Sequence, residues 1–203
     1  MENNNRSRDI FIKELPEVST EPASLGLFGL AVAALALGVT YLGLAEANDN
    51  ALLIPWVLFF GATTQFVAGL IDFKRNNIFG ATVFTFFSMA MYSIALTAII
   101  NVFTGVTVDI NHYVAGLIAV LVFLVIVTFA SMMTNKVLFS IVFVVDLAIP
   151  FLVTYYLWGY GATIGGILLL VTSVLSFYAA AAVLLNTMAG KKILPLGSPI
   201  WEP

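Results

Sequence analysis

Cysteine is absent from the 203-residue chain, and histidine occurs once, at His112. Disulfides and thiolate metal sites are thereby excluded, and no cofactor is expected. Charge is nearly as scarce: Asp, Glu, Lys and Arg make up 9% of the residues, against 61% hydrophobic ones. So few polar residues leave no room for a catalytic module outside a membrane. The net charge of -3 offers no basic face for nucleic acid. No Lys or Arg falls inside a long apolar run, which disfavours a strong multi-anion site. His112, beside Asp109 between two such runs, reads as a solvated loop residue and not as a proton sensor.

What the chain has is six apolar stretches, residues 25–45, 51–71, 79–103, 113–134, 137–157 and 162–186. Each holds about the 20 residues that a helix needs to cross the hydrocarbon core. The fold class expected is all-α, a polytopic membrane protein with six transmembrane helices in one bundle. Short connections make successive helices antiparallel neighbours. The first stretch is too long for a signal peptide and lacks a clear cleavage site. Arg6, Arg8 and Lys13 precede the first stretch, and Lys74 and Arg75 follow the second. Lys136 lies between the fourth and fifth, and Lys191 and Lys192 follow the sixth. These are all 8 basic residues, and the other three loops have none. The positive-inside rule then puts both termini in the cytoplasm. Residues 1–20 read as a flexible cytoplasmic tail, 21–190 as the transmembrane domain and 191–203 as a cytoplasmic C-terminal tail.

Polar residues inside the spans are the functional leads, because hydrocarbon offers them no partner. The second span carries Thr63, Thr64 and Gln65, and the sixth carries Thr172, Ser173 and Ser176. Thr85, Ser88 and Tyr92 share one face of the third at helical spacing. Hydroxyls, an amide and aromatic rings can solvate a small, weakly hydrated solute without trapping it through a full charge. The same hydroxyls can instead only join helices together. Glycines in the first, second and sixth spans permit close helix approach.

Asp146 is the one carboxylate near the middle of a span. Pro150 follows four residues later and cannot donate to the Asp146 carbonyl, so a kink is expected there. Two roles remain open for Asp146: proton coupling or gating, and a protonated acid bonded across to a neighbouring helix.

EPASLGLFGLA, residues 21–31, resembles the NPAPLGL signature of the acetate uptake transporter family. That family includes bacterial succinate-acetate permeases and fungal ammonia and acetate export proteins. FFGATTQFVAGLIDFKRNNIFGATVFTFFS, residues 59–88, is similar to the family segment YGGxAQxxAGxxExxxGNTFGxTAFTSYG. KILPLG, residues 192–197, is similar to its C-terminal VLPIG. The resemblance implies a plasma-membrane channel or transporter for acetate and related small monocarboxylates, with succinate in some members. It also implies a homo-hexamer in which each protomer has its own pore. The family's apolar constriction falls on Leu30, Phe87 and Val145, and its substrate-facing glutamine on Gln65. Departures are Glu21 for the signature asparagine, Ser24 for its second proline, and Phe86, Phe87 and Ser88 for Ser, Tyr and Gly. Asp146 stands where the bacterial permeases have no acid.

An alternating path of apolar constriction and donors, with Leu30 and Phe87 beside Gln65, Thr85, Ser88 and Tyr92, suits acetate better than a hydrated chloride ion. The alternatives are a channel for a small neutral solute such as urea or ammonia, and a scaffold that transports nothing. An intramembrane enzyme is not expected, since the spans hold one carboxylate, no histidine and no cysteine.

Overall fold

A computed structural model describes residues 20–45, 50–106 and 109–202. The expected N-terminal tail lies outside the described residues except for Thr20. Six helices are long and apolar enough to cross a membrane. They are α1 (Ala23–Tyr41), α2 (Ala51–Lys74), α3 (Ile78–Thr104), α4 (Ile110–Ser131), α5 (Lys136–Trp158) and α6 (Ala162–Ala189). No strand occurs among the described residues. The protein is an all-α, multi-pass membrane protein.

The ends of the helices follow local chemistry more closely than hydropathy. Asn77, Asn135 and Asp109 accept first-turn N–H bonds at the starts of α3, α5 and α4, each satisfying a donor with no partner inside its own helix. Gly105, Gly159 and Gly190 end α3, α5 and α6 in the left-handed conformation that glycine adopts without strain. α4 therefore begins before Tyr113, and His112 sits in its first turn, 2.9 Å from Asp109. α2 runs past Ile71 to Lys74 and so takes Asp72 into the helix. α5 runs unbroken through Pro150.

The helices form a ring in chain order, closed by extensive packing of α1 on α6, while α3 and α4 touch least. Lipid is as apolar as leucine, so close van der Waals packing and hydrogen bonds drive this contact. A Cβ on Gly38 would come within 3.1 Å of the Gly166 carbonyl oxygen, and one on Gly166 within 3.1 Å of the Gly38 carbonyl oxygen. Ser173 Oγ donates to the Ala31 carbonyl at 2.7 Å across the same crossing. α1 meets α2 equally closely, since a Cβ on Gly29 would overlap the Phe60 carbonyl oxygen and the Thr64 side chain. Phe86 of α3 stacks on Phe123 of α4, with ring centroids 3.6 Å apart, and bridges the loosest seam.

One turn was not foreseen. Residues Trp56–Thr64 of α2 form a π-helix directly after Pro55. Proline supplies no N–H, and Thr63, Thr64 and the following Gln65 bond back to the segment's carbonyls. Thr63 Oγ1 donates to Leu58, Thr64 Oγ1 to Phe60 and Gln65 Nε2 to Gly61, at 2.9, 2.5 and 2.6 Å. π-helical turns occur often at functional sites.

Candidate functional site

Three cavities succeed one another inside the ring. At the end carrying Tyr41, a vestibule of about 540 Å³ is walled by Thr40, Tyr41, Asn101, Tyr113, Tyr155 and Tyr156 among others. It shares Leu37, Tyr41, Ile94, Thr97 and Tyr113 with a middle cavity of about 390 Å³. At the Ala23 end lies an inner cavity of about 80 Å³, whose wall includes Ala23, Gln65, Asn77 and Gly80. The middle and inner cavities have two residues in common, Leu30 and Phe87. Both are buried. Val145 and Thr172 belong to the middle wall.

Helical spacing explains which side chains reach the lumen. Leu30, Ala34, Leu37 and Tyr41 recur on one face of α1, and Phe87, Met91 and Ile94 on one face of α3. From α5, Val145, Ile149 and Leu152 do the same. The walls of the middle and inner cavities carry no Asp, Glu, Lys or Arg among the described residues, while His112, expected to be a loop residue, lies in the middle wall. Gln65 is fully buried, its Nε2 on the Gly61 carbonyl and its Oε1 without a partner.

Thr85, Ser88 and Tyr92 do share a face, but they are absent from the cavity walls. That face looks at α2. A Cβ on Gly69 would overlap the Thr85 hydroxyl. Tyr92 Oη lies 3.1 Å from Thr63 Oγ1. Thr63 spends its one proton on the Leu58 carbonyl, so Tyr92 is the donor. Ser88 is fully buried, with no partner for its hydroxyl.

Asp146 points away from the lumen that its neighbour Val145 lines. Thr128 of α4 donates to Asp146 Oδ2 at 2.5 Å, and Oδ1 is buried without a partner. The bond joins α4 to α5.

Sequence reasoning missed two clusters. Asp72 is fully buried at the Ala23 end, its Oδ1 accepting from Asn77 Nδ2 at 3.1 Å and its Oδ2 unpartnered. Gly80 makes room for it, since a Cβ there would overlap that oxygen. Asp72 also backs the inner cavity, because Asn77 and Gly80 are in its wall. Its position one residue beyond the apolar run was the signal available. The second cluster is a tyrosine collar. Tyr41 and Tyr156 hydroxyls are 2.9 Å apart, and the Tyr113 and Tyr156 rings meet edge to face at 4.8 Å. At the other end Glu21 accepts from the Ala23 N–H and pairs with Arg75 at 2.8 Å, tying the start of α1 to the turn after α2. Outside the spans, Asp109 is exposed, and the Asn111 N–H, followed by His112, holds its carboxyl below the usual carboxylate range. No cluster of His, Asp and Glu able to hold a metal occurs among the described residues.

A succinate-acetate/proton symporter, SatP, of Escherichia coli (strain K12) is 28% identical over 181 residues, covering 87% of this chain and 94% of that protein. A Shigella flexneri protein of the same description matches to the same extent. The solved structure of the bacterial acetate channel SatP superposes with a TM-score of 0.82 at 22% identity, over 88% of this chain and 99% of that one, so the fold is shared. A profile of the GPR1/FUN34/yaaH family matches residues 12–195. With that match covering most of its length, the chain belongs to the GPR1/FUN34/yaaH family.

Proposed function

We propose that the protein passes acetate and related small monocarboxylates, succinate among the candidates, along the lumen of each protomer. The observation that carries this reading is the pair of cavities meeting at Leu30 and Phe87. An apolar neck flanked by neutral polar groups suits a solute with a methyl end and a carboxylate end. The methyl group loses little by leaving water, and the carboxylate finds hydroxyl or amide donors on either side without a fixed charge to hold it. The names of the relatives, a symporter and a channel, support the same substrate class.

A carboxylic acid with a pKa of about 4.3, that of a Glu side chain, is only about 0.2% protonated at pH 7. The anion is therefore the species that needs a protein. Its entry against an inside-negative potential costs about 2.3 kcal/mol per 100 mV, and its exit costs nothing. We favour an anion channel over proton symport through Asp146, because the bond from Thr128 and the orientation away from the lumen support a structural role for that carboxyl. The basic residues at the Ala23 end support a cytoplasmic location for it and for both termini, in the cell membrane. A homo-hexamer with one path per protomer completes the reading.

The test is labelled acetate flux recorded together with current in proteoliposomes at two external pH values. Flux with current of the anion's sign is expected. Electroneutral flux that accelerates at acid pH and fails in Asp146→Asn would establish symport instead. Urea or ammonia flux without acetate flux would favour the neutral-solute reading, and no flux from folded protein would favour a scaffold.

A further inference from the structure

KILPLG has no place in the path, yet the segment that contains it is tied to three spans. Near the end of α6, Asn186 donates from Nδ2 to the Leu194 carbonyl at 2.8 Å. Its Oδ1 accepts from the Ile193 and Leu194 N–H groups at 2.6 and 2.9 Å. Tyr178 Oη, also on α6, donates to the Pro195 carbonyl at 2.7 Å. The Leu196 carbonyl accepts from the Val137 N–H at 3.2 Å. That N–H belongs to the first turn of α5 and has no partner within its own helix. The Ile200 and Trp201 N–H groups both reach the Met132 carbonyl, just past the end of α4, at 2.8 and 3.1 Å.

Between these ties, the Leu196 side chain packs against the cluster that contains Leu27, Leu30, Phe84 and Ile141. All four also line the inner cavity, as does Leu138, which packs on the same cluster. The segment is thus a hydrogen-bonded band across the ends of α4, α5 and α6, with one leucine packed on a cluster that shares residues with the cavity wall.

We infer that residues 193–201 are a strap that fixes the width of the inner cavity, with Leu196 as the positioning residue for the wall that carries Leu30. The strap acts on the path described above and rests on that reading. A cavity of about 80 Å³ has little slack. Removing a packed leucine leaves a void into which neighbours relax only in part, so the wall gains freedom where the path is narrowest.

The chain's lack of cysteine provides a clean reporter. Leu138→Cys, in membrane vesicles with the cytoplasmic face outward, is treated with a membrane-impermeant thiol reagent. Leu196→Ala in that background is expected to speed modification by about fivefold or more, since a looser wall opens more often. Leu196→Met should restore the slow rate. Without the reporter, Leu196→Ala should also raise the ratio of butyrate to acetate flux. An unchanged modification rate in a folded variant with a lowered melting temperature would reduce the strap to a stabilising tail. If Leu196→Ala does not fold, Asn186→Ala cuts three of the strap's bonds, keeps the leucine and is read in the same way. Modification needs no transport. A wild-type protein without acetate flux therefore defeats the transport reading, whereas an unaltered thiol rate defeats the strap.

Discussion

Replacing Thr128 by valine separates a structural Asp146 from a functional one. The change keeps the shape of the side chain and removes the hydroxyl that donates to Asp146 Oδ2 at 2.5 Å. Oδ1 is already buried and unpartnered, so the carboxyl is left with no hydrogen bond. Leaving a buried polar group unsatisfied costs about 1–3 kcal/mol in soluble proteins, while bonds between membrane helices average about 0.6 and reach about 1.7 kcal/mol. Asp146 is only half-buried, so the membrane scale applies, and a loss of about 1 kcal/mol is expected. In an Asp146→Leu background the same valine should cost almost nothing, because the orphan is gone and a lone threonine hydroxyl can turn to a carbonyl one turn back. The assay is a double-mutant cycle of reversible unfolding in mixed micelles, followed by circular dichroism. A coupling below about 0.3 kcal/mol, the ordinary scatter of additivity, would sink the reasoning. Asp146→Asn keeps an acceptor for Thr128 and should leave both acetate flux and its pH dependence unchanged.

Phe87→Tyr places a hydroxyl at the neck and should raise acetate over chloride permeation about two- to tenfold, the range of one added hydrogen bond; an equal rise for both anions would contradict a specific bond. Gly38→Leu or Gly166→Leu should cost about 1–3 kcal/mol, since each forces α1 and α6 apart. Gly116→Ala, in the middle cavity's wall with nothing within 4 Å of its Cβ, should not lower melting and should raise stability by up to about 1 kcal/mol through helix propensity, and a large loss there would show that the site is packed. Asn135→Ala removes the cap of α5 and should cost about 1 kcal/mol by micelle unfolding. Because the Asp109 carboxyl is held low, its contribution to the start of α4 is present above the ordinary carboxylate range and is lost as pH falls through its lowered value. Amide protection at Asn111 should drop over that acid range, and flat protection would show that the cap is idle.

The six spans and their order were legible because membrane helices must satisfy their own backbone and are written as long apolar runs. Their ends were less so. Asn77, Asp109 and Asn135 set three starts by side-chain caps that hydropathy does not weigh. Leu30, Phe87 and Val145, named from a resemblance, lie around one cavity. Thr85, Ser88 and Tyr92 show the limit of periodicity: spacing groups residues on a face but does not say which neighbour the face meets, and here it is α2. The tyrosine collar joins positions from α1, α4 and α5, far apart in sequence, and only tertiary packing reveals it. The π-helical turn had a local signature in Pro55 and the run Thr63, Thr64 and Gln65, whose side chains compete for backbone carbonyls.

A ring built in chain order sets a schedule for its own biosynthesis. Each new span can dock on its predecessor as it leaves the translocation machinery, but α1 waits for α6, the last to be made. Until then Gly38 and the Ala31 carbonyl lack the partners that Gly166 and Ser173 later provide. A chain stopped after α5 would present an open groove to lipid in place of a closed lumen. The seam between the first and last helices is therefore where quality control can distinguish a finished molecule from an unfinished one.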